Sequence, residues 1–334
     1  MRMLIAVALL STACAPSADP VSHASPDAAR SPIDAAIDAE PDAAPIVDAA
    51  PPDLYPAPAA DRADPAYIQV GSFNIDWLAD AYQSEFTPRL AADYAMITRL
   101  IVETDVEVFG LQEIEGDGAL TLLDLPDRYR WHVGESGWSQ NPAILWRPDR
   151  VEVDDIREIR LPGTDFPSKD PLAARVRAVD GDLAFTLVVV HFHPFPNSED
   201  SAYRAHQIEQ LHTWITRGLP EHPAPAPPVV IVGDFNDTHA GLNPDIPGLQ
   251  PFEDDPDYTF VEADCPGSSQ TRYDSRIDHL VIDRALVERL HDSGPQCHVD
   301  AFDDRDPYRS YGGGYRGISN ISSHRPLWLY LSAR

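Results

Sequence analysis

The apolar run Val229–Val232 constrains the fold of this chain more than any other stretch. Its residues are all β-branched and lie between prolines and Gly233, a pattern typical of a buried strand. Asp234, Asn236 and Asp237 follow immediately. Carboxylates at the end of a buried strand are costly unless they serve a metal, a phosphate or each other, although the same residue types also form ordinary turns. The stretch therefore predicts a turn or a polar site beside a central strand.

Other predicted strands also end in polar side chains. These strands and their polar residues are Tyr67–Ile75 with Asn74, Val106–Ile114 with Gln112 and Glu113, Leu183–Phe192 with His191, and Arg276–Ile282 with Asp278 and His279. Further strands are predicted at Tyr129–Val133, Ala143–Trp146, Val151–Ile159, Arg175–Ala178 and Leu327–Leu331. Helical spacing of apolar residues occurs in Thr87–Glu103 and Ser201–Arg217. Many strands with few helices predict one domain of the α/β (α+β) class, with two packed sheets flanked by helices.

Residues 1–14 have the pattern of a secretory signal peptide. Arg2 precedes an apolar run, Met3–Leu10, that is too short to cross a membrane, and small residues follow it up to Cys14. These small residues resemble a bacterial lipobox, with Ser11 where leucine is usual. We therefore predict export, with Cys14 as a lipidation site. The protein is expected in the outer membrane, facing the periplasm or the cell surface, or otherwise as a secreted protein.

Residues 15–66 form a low-complexity segment in which short Asp-Ala units recur, at Ile33–Ala36, Pro41–Ala44 and Val47–Ala50. Proline is frequent and no apolar period appears, so we predict a disordered tether rich in Ala, Pro and Asp. Residues 67–334 are predicted to form a single catalytic domain, since their number is sufficient for one large core.

Charge and cysteine content bear on the partners and the compartment. The formal net charge is −29, and an acidic surface repels nucleic acid at long range without excluding a locally basic cleft. Outside the leader the chain has two cysteines, Cys265 and Cys297. In an exported protein they can close one disulfide, the alternative being two buried thiols. We expect a monomer that meets a membrane only through its lipid anchor.

At its strand ends the sequence resembles the endonuclease/exonuclease/phosphatase superfamily, which includes the deoxyribonuclease I-like enzymes. Six motifs stand in the order of that superfamily: SFNI (Ser72–Ile75), LQEI (Leu111–Ile114), VVVHFHP (Val188–Pro194), GDFN (Gly233–Asn236), SRIDHL (Ser275–Leu280) and SSHRPL (Ser322–Leu327). The resemblance covers nearly all of the predicted domain. It implies a four-layer α/β/β/α sandwich of two packed, mainly antiparallel sheets flanked by helices.

The resemblance also implies roles for the polar residues at the strand ends. Glu113, with Asn74 beside it, would hold a divalent metal, Mg²⁺ or alternatively Mn²⁺ or Ca²⁺, because such ions prefer oxygen ligands. Asp234 and Asn236 would orient the attacking water and contact the phosphate, and His191 would lie on the other side of that phosphate. A lone histidine that closes a strand is more often structural, which is the alternative for His191. His279 is expected to pack under its strand.

Asp278 and His324 match a carboxylate–imidazole dyad, in which the carboxylate favours the protonated ring so that a cation faces the phosphate. The sequence departs from the family at Ser323, where aspartate usually precedes the last histidine. Serine brings no charge, so the metal site is expected to be weaker. Lys169, Arg316 and Arg325 are candidates for contacts with the substrate phosphate, with exposed loop residues as the alternative reading.

The same residues also fit two other functional interpretations. GDFND also fits the GDxxD motif of dinuclear metallophosphoesterases, but here HFH precedes it and no GNH motif exists, so the order of motifs excludes that family. A surface module that binds a ligand without turnover is the second alternative, and Ser323 is its only support.

The expected function is hydrolysis of phosphate esters, with two hypotheses for the substrate. A nuclease acting on DNA or RNA is favoured by the arginine-rich stretch Tyr308–Arg325, whereas the acidic body disfavours it. The alternative is a phosphodiesterase or phosphatase acting on small phosphate esters or lipid headgroups. The sequence shows no apolar hairpin of the kind with which sphingomyelinase-type members enter membranes.

Overall fold

The structure is a computed structural model that describes residues 66–78, 89, 91–164, 169–261, 275–292, 296–297 and 322–334. The predicted leader with Cys14, the predicted tether, Cys265, Arg316 and the side chain of Cys297 lie outside this description.

Twelve strands and four α-helices make up the described part. The strands are β1 Tyr67–Leu78, β2 Val108–Ile114, β3 Arg130–Val133, β4 Asn141–Trp146, β5 Val151–Glu158, β6 Leu172–Ala178, β7 Ala184–His191, β8 Val229–Asp234, β9 Tyr258–Phe260, β10 Asp278–Asp283, β11 Gln296–Cys297 and β12 Leu327–Ser332. The helices are α1 Ala91–Thr104, α2 Asp117–Thr121, α3 Ser198–Arg217 and α4 Gln250–Glu253, and a 3-10 helix follows β10 at Arg284–Arg289.

The strands form two six-stranded sheets. The first has the order β11-β12-β1-β2-β4-β3 and the second β5-β6-β7-β8-β10-β9. Neighbouring strands are antiparallel except for β1 beside β2 and β7 beside β8, which are parallel. The two parallel pairs lie near the middle of their sheets, and their carboxyl ends carry the polar residues that the sequence singled out.

Strand β8, which contains the apolar run Val229–Val232, is apolar on both faces because each face packs against its own core. Val230 and Val232 belong to the core between the sheets, whereas Val229 and Ile231 belong to the core that covers the outer face of the second sheet. The latter core includes Trp214 of α3. Strand residues pointing to alternate sides thus meet a sheet on one side and a helix on the other.

The first sheet is built in the same way. In β1, Ile68 and Val70 pack between the sheets, and Phe73 packs on the outer side with Ile97 and Leu100 of α1. The layers therefore run α1, first sheet, second sheet, α3, which confirms the predicted four-layer sandwich. Among the described residues, no helix is both long and apolar enough to cross a membrane.

The register of the strands gathers their polar ends. His191 at the end of β7 pairs with Asp234 at the end of β8, and Asp278 at the start of β10 pairs with Asp234 from the other side. In the first sheet Asn74 of β1 pairs with Gln112 of β2, next to Glu113. Because the two sheets stack face to face, these ends meet on one rim of the sandwich.

Candidate active site

Asp234 lies at the centre of the rim and is 2% exposed. Its Oδ2 accepts a hydrogen bond from Asn74 Nδ2 at 3.1 Å, and its Oδ1 accepts the backbone N–H of Asn236 at 2.7 Å. Burial, and next the neighbouring charge of Asp278, raise the pKa of Asp234 to about 6. A carboxylate with such a pKa can both hold and release a proton near neutral pH.

The backbone around Asp234 is specialised. Gly233 has φ +146°, and a Cβ there would lie 2.1 Å from the carbonyl oxygen of Val190, so only glycine fits between β7 and β8. Asn236 adopts a left-handed conformation with φ 51°, and its Nδ2 donates to the carbonyl oxygen of Phe192 at 2.9 Å. Asn236 thus ties the end of β8 to the segment that follows His191.

Glu113 enters the site from the first sheet. Its backbone is left-handed, with φ 63°, and its carboxylate is held by Asn74 Nδ2 at 3.2 Å and by Gln140 Nε2 at 3.0 Å. Burial, and then the charge of Asp76, raise the pKa of Glu113 to about 7. The Asn74 amide therefore links carboxylates of the two sheets, with Glu113 on one side and Asp234 on the other.

His324 and Asp278 form the predicted pair. His324 Nδ1 lies 2.8 Å from Asp278 Oδ2, and His324 Nε2 lies 3.9 Å from Asp234 Oδ2. Burial alone lowers the pKa of His324, but the carboxylates of Asp278, Asp234 and Glu113 more than offset this and raise it to about 10. The ring is therefore a cation at neutral pH. Ser322 Oγ accepts the backbone N–H of His324 at 2.9 Å and donates to the carbonyl oxygen of Asn74 at 2.6 Å, which anchors the pair to β1.

His191 faces the two carboxylates from the second sheet. Its Nε2 lies 3.6 Å from Glu113 Oε1, 3.9 Å from Asp234 Oδ2 and 3.3 Å from Lys169 Nζ. Burial, followed by the charge of Lys169, holds the pKa of His191 well below its ordinary value. His191 is therefore a neutral ring that offers a lone pair or one N–H, unlike the charged His324.

The structure brings together Asn74, Glu113, Lys169, His191, Asp234, Asn236, Asp278 and His324. Arg325 directly follows His324 and is partly buried. His279 is buried, and its Nε2 hydrogen bonds to the carbonyl oxygen of Asp237 at 2.9 Å, so it packs under the strand as expected. His193 points to Asp200, with Nε2 2.7 Å from Oδ1, and not toward the carboxylates of the site.

Sequence reasoning missed several residues at the site. Gln140 holds Glu113 from a loop before β4, and no sequence pattern relates the two positions. Arg89 donates to the carbonyl oxygens of Ile75, Asp76 and Trp77 at 2.5, 2.7 and 2.7 Å, and so holds the irregular end of β1 that follows the first motif. Asp76 did carry a signal, since it follows Asn74 by two positions at a strand end.

The donor set fits a divalent metal. Asp76 Oδ2 is buried and accepts no hydrogen bond among the described residues, and the charge of Asp76 raises the pKa of the nearby Glu113 carboxylate. Buried carboxylates with an open oxygen are the hard ligands that Mg²⁺ prefers. Asn74 turns Nδ2 and not Oδ1 toward Glu113, so in this orientation it positions the carboxylate without offering a ligand atom.

A second acidic group is less suited to a metal. Ligand atoms of Asp234, Asp278 and His324 lie within 4.8 Å of one another. Asp278 and His324, however, already share a hydrogen bond through Nδ1, and the ring is charged. A protonated imidazole offers no lone pair to a metal, so this group is better suited to facing an anion.

Comparison with known proteins agrees with this geometry. The model of the Endonuclease/Exonuclease/phosphatase family matches residues 71–324. No curated protein matches the chain.

Among solved structures, an endonuclease/exonuclease/phosphatase family protein from Bacteroides thetaiotaomicron is 19% identical, with a TM-score of 0.56, covering 79% of this chain and 94% of that chain. TDP2 of D. rerio, complexed with single strand DNA product, is 17% identical, with a TM-score of 0.55 and coverages of 79% and 98%. A mannosyl-6-phosphatase from Bacteroides thetaiotaomicron is 17% identical, with a TM-score of 0.52 and coverages of 78% and 98%. At these identities the likeness shows a shared fold.

Proposed function

The chain belongs to the endonuclease/exonuclease/phosphatase family, and from this premise we propose that it is a divalent-metal-dependent hydrolase of phosphate esters. One observation carries the proposal. The Asn74 amide joins Glu113 of the first sheet to Asp234 of the second, at 3.2 and 3.1 Å, and the charged His324 lies 3.9 Å from that same Asp234 oxygen. A metal-binding carboxylate, a base and a fixed cation thus surround one small space.

Each residue then has a chemical task. Glu113, with Asp76 beside it, would hold the metal, whose charge would offset the charge on the phosphate oxygens. Asp234 accepts the proton of the attacking water, since its pKa of about 6 leaves it ionised at neutral pH. The His324 cation, kept charged by Asp278, faces the phosphate, and neutral His191 donates to the phosphate from the other side.

For the substrate we propose nucleic acid, cleaved as an endonuclease by in-line attack of water on the phosphodiester. The fold it shares with TDP2, whose structure holds a single strand DNA product, supports this choice. Lys169, Arg316 and Arg325 are then the candidate contacts to phosphate. A phosphodiesterase or phosphatase of small esters or lipid headgroups is the second candidate, and the net charge of −29 and the fold shared with a mannosyl-6-phosphatase favour it.

We also propose that the enzyme works outside the cytoplasm. Residues 1–14 would direct export, Cys14 would carry lipid, residues 15–66 would act as a tether, and Cys265 would pair with Cys297. Acylation of the purified protein at Cys14, read by mass spectrometry, tests the anchor. A mature chain that begins elsewhere and carries no lipid contradicts it.

A substrate panel tests the proposed function. The purified protein would be stripped of metal and incubated with supercoiled plasmid, bis-p-nitrophenyl phosphate or p-nitrophenyl phosphate, with Mg²⁺, Mn²⁺, Ca²⁺ or EDTA. Nicking that needs metal and is lost in Glu113→Gln supports the nuclease. Metal-dependent cleavage of the small esters alone supports the second candidate. Metal binding with no cleavage of any substrate would instead favour the non-catalytic binding module that Ser323 suggests.

A further inference from the structure

Two exposed aromatic side chains lie on loops that border the candidate active site. Among the described residues with large apolar side chains, Trp138 and Phe195 are the most exposed, at 59% and 53%. Both also have a left-handed backbone, with φ 61° and φ 77°. This conformation is uncommon for a residue with a bulky side chain and clusters at functional sites. Exposure and backbone conformation therefore distinguish the same two residues.

Trp138 lies in the loop before β4, and side-chain hydrogen bonds hold that loop in place. The buried Asn141 Nδ2 donates to the carbonyl oxygen of Trp138 at 2.8 Å, and to that of Ile114 at the end of β2 at 3.2 Å. Ile114 directly follows Glu113, and Glu113 Oε2 accepts a hydrogen bond from Gln140 Nε2 at 3.0 Å. The contacts that fix the Trp138 loop thus also hold the strand end that carries Glu113.

Phe195 lies in the loop after β7, four positions after His191. Its carbonyl oxygen accepts a hydrogen bond from Arg204 Nη1 at 2.8 Å, and the same nitrogen donates to the carbonyl oxygen of His193 at 3.1 Å. Arg204 is fully buried. A buried side chain therefore fixes the Phe195 backbone while the Phe195 ring stays exposed.

The two loops reach the same carboxylate from opposite sheets. Gln140, in the Trp138 loop, approaches Glu113 Oε2 at 3.0 Å. His191, just before the Phe195 loop, has its Nε2 3.6 Å from Glu113 Oε1. A phosphate bound at the proposed metal would therefore have an exposed aromatic residue beside it on a loop of each sheet.

The charge of the protein bears on what these rings bind. The net charge is −29, and Glu199 and Asp200 stand in the first turn of α3, shortly after Phe195. Such a surface repels the phosphates of nucleic acid. Stacking of a base on an aromatic ring is worth a similar amount for every base, because each base has a π-face. In a duplex the bases are already paired and stacked on one another, so only unpaired bases can reach an aromatic side chain.

We propose that Trp138 and Phe195 stack on unpaired bases on either side of the scissile phosphate, so that single-stranded nucleic acid is the preferred substrate. This inference rests on the proposed function and names the form of its substrate. The rings supply affinity that the acidic surface does not, and they position the phosphate at the metal site. Two exposed aromatic rings would also suit insertion into a lipid bilayer, and the experiments separate the two ligands.

The first experiment measures the binding of fluorescein-labelled oligothymidylate, about 12 nucleotides long, by fluorescence anisotropy with Mg²⁺. The parent protein carries Asp234→Asn so that the strand is not cut. Trp138→Ala and Phe195→Ala should each weaken binding roughly tenfold. Trp138→Phe keeps a ring and should retain most of the affinity, whereas Trp138→Leu is apolar without a ring and should bind as weakly as Trp138→Ala.

Val179→Ala is the matched control for these variants. Val179 is 46% exposed and lies between β6 and β7, at the other end of β7 from His191. The substitution removes an exposed apolar side chain far along the strand from the site, and it should leave oligothymidylate binding unchanged.

A second measurement needs no aromatic variant. The same parent protein is offered oligothymidylate, a strand of equal length whose sugars carry no bases, and a duplex of equal length. Loss of stacking should weaken the binding of the abasic strand and of the duplex roughly tenfold relative to oligothymidylate.

Three results would overturn the inference. The parent binds no oligothymidylate, it binds the strands with and without bases equally, or Trp138→Ala and Phe195→Ala bind like the parent. Vesicles of phosphatidylcholine test the membrane, with Cys14→Ser to remove the predicted lipid. Sedimentation with them that Trp138→Ala abolishes and Trp138→Leu retains would assign the rings to a membrane instead.

Failure of the proposed function gives a different result. A wild type that hydrolyses no phosphate ester with any metal, while the aromatic variants still lose oligothymidylate binding, would overturn the proposed hydrolysis and leave base stacking in place. Metal-dependent hydrolysis without any effect of the aromatic variants on binding would do the reverse.

Discussion

At the residue scale, the two active-site histidines differ in charge because they differ in partners. His324 shares a 2.8 Å contact with Asp278, and its pKa is raised to about 10, whereas the pKa of His191 is held well below the ordinary value by burial and by Lys169. One ring can therefore stabilise negative charge while the other stays neutral. The sequence predicted both positions, and the opposite protonation states follow from the contacts.

The charge on His324 should set the alkaline limit of activity. In Asp278→Asn the main raising carboxylate is lost while burial still lowers the pKa, so the pKa of His324 should fall from about 10, although Asp234 and Glu113 still raise it. The alkaline limb of kcat/KM should then move to lower pH, which rate profiles that extend beyond the wild-type pKa of about 10 would measure. If the alkaline limb of kcat/KM lies at the same pH in Asp278→Asn and in the wild type, His324 is not needed as a cation.

The second prediction at the residue scale concerns metal binding and Ser323. The family usually has aspartate at this position, so Ser323→Asp should add a carboxylate next to His324 and strengthen metal binding. We expect the Mg²⁺ concentration for half-maximal activity to fall roughly tenfold. Ser323→Asn is the neutral control and should leave that concentration unchanged. If both variants behave alike, charge at this position has no bearing on the metal.

At the element scale, helix α3 holds the loop after β7 through a buried ion pair. Arg204 is fully buried, and it donates to the carbonyl oxygens of His193 and Phe195 at 3.1 and 2.8 Å. Its Nε lies 3.5 Å from Asp237 Oδ2, which also accepts the N–H of Gly248. The pair thereby joins the loop that follows His191 to the loop that follows Asp234.

Breaking this pair should destabilise the fold. Arg204→Met leaves Asp237 buried without its cation, which typically costs about 3–5 kcal/mol of unfolding free energy. Urea denaturation would measure the loss. Adding Asp237→Asn to Arg204→Met removes the uncompensated charge and should restore part of the stability. Equal stability of Arg204→Met and the wild type would contradict the role given to the pair.

The strands that carry the site were predictable because their apolar runs end abruptly in polar residues. Predicted and observed strands agree closely at Val106–Ile114 against β2 and at Leu183–Phe192 against β7. The start of β4 was missed because Pro142 interrupts the run, although β4 begins at Asn141. A proline lacks only its own N–H, so tertiary pairing can still include it in a strand.

The parts of the site that escaped prediction depend on loops. Gln140 reaches Glu113 from a distant position in the chain, and Arg89 reaches the carbonyl oxygens around Asp76. Glu113, Asn236 and Lys169 all adopt left-handed backbone conformations, which periodicity cannot reveal. Strand-end motifs therefore indicate which residues meet, but the bonds that orient them follow from long-range contacts.

At the scale of the whole molecule, the net charge of −29 should shape the response to salt. Most nucleases that hold DNA through cations lose affinity as salt rises, because counterions are released on binding. An acidic enzyme repels DNA instead, and added salt screens that repulsion. Plasmid nicking should therefore hold steady or rise between 50 and 200 mM NaCl. A steep fall with salt would show that a local basic surface outweighs the acidic body.

Asp234 and a divalent metal are central to the proposed hydrolysis, and the rate of bis-p-nitrophenyl phosphate hydrolysis is the most direct measurement of their role. The assay would compare the wild type, Asp234→Asn and the control Asp245→Asn, which changes an exposed loop carboxylate, each with Mg²⁺ and with EDTA. We predict that the wild type hydrolyses the ester with Mg²⁺ and that EDTA abolishes this hydrolysis. Asp234→Asn should lower the rate about 10²–10⁴-fold, and Asp245→Asn should leave it unchanged. Hydrolysis that survives either EDTA or Asp234→Asn would contradict the account.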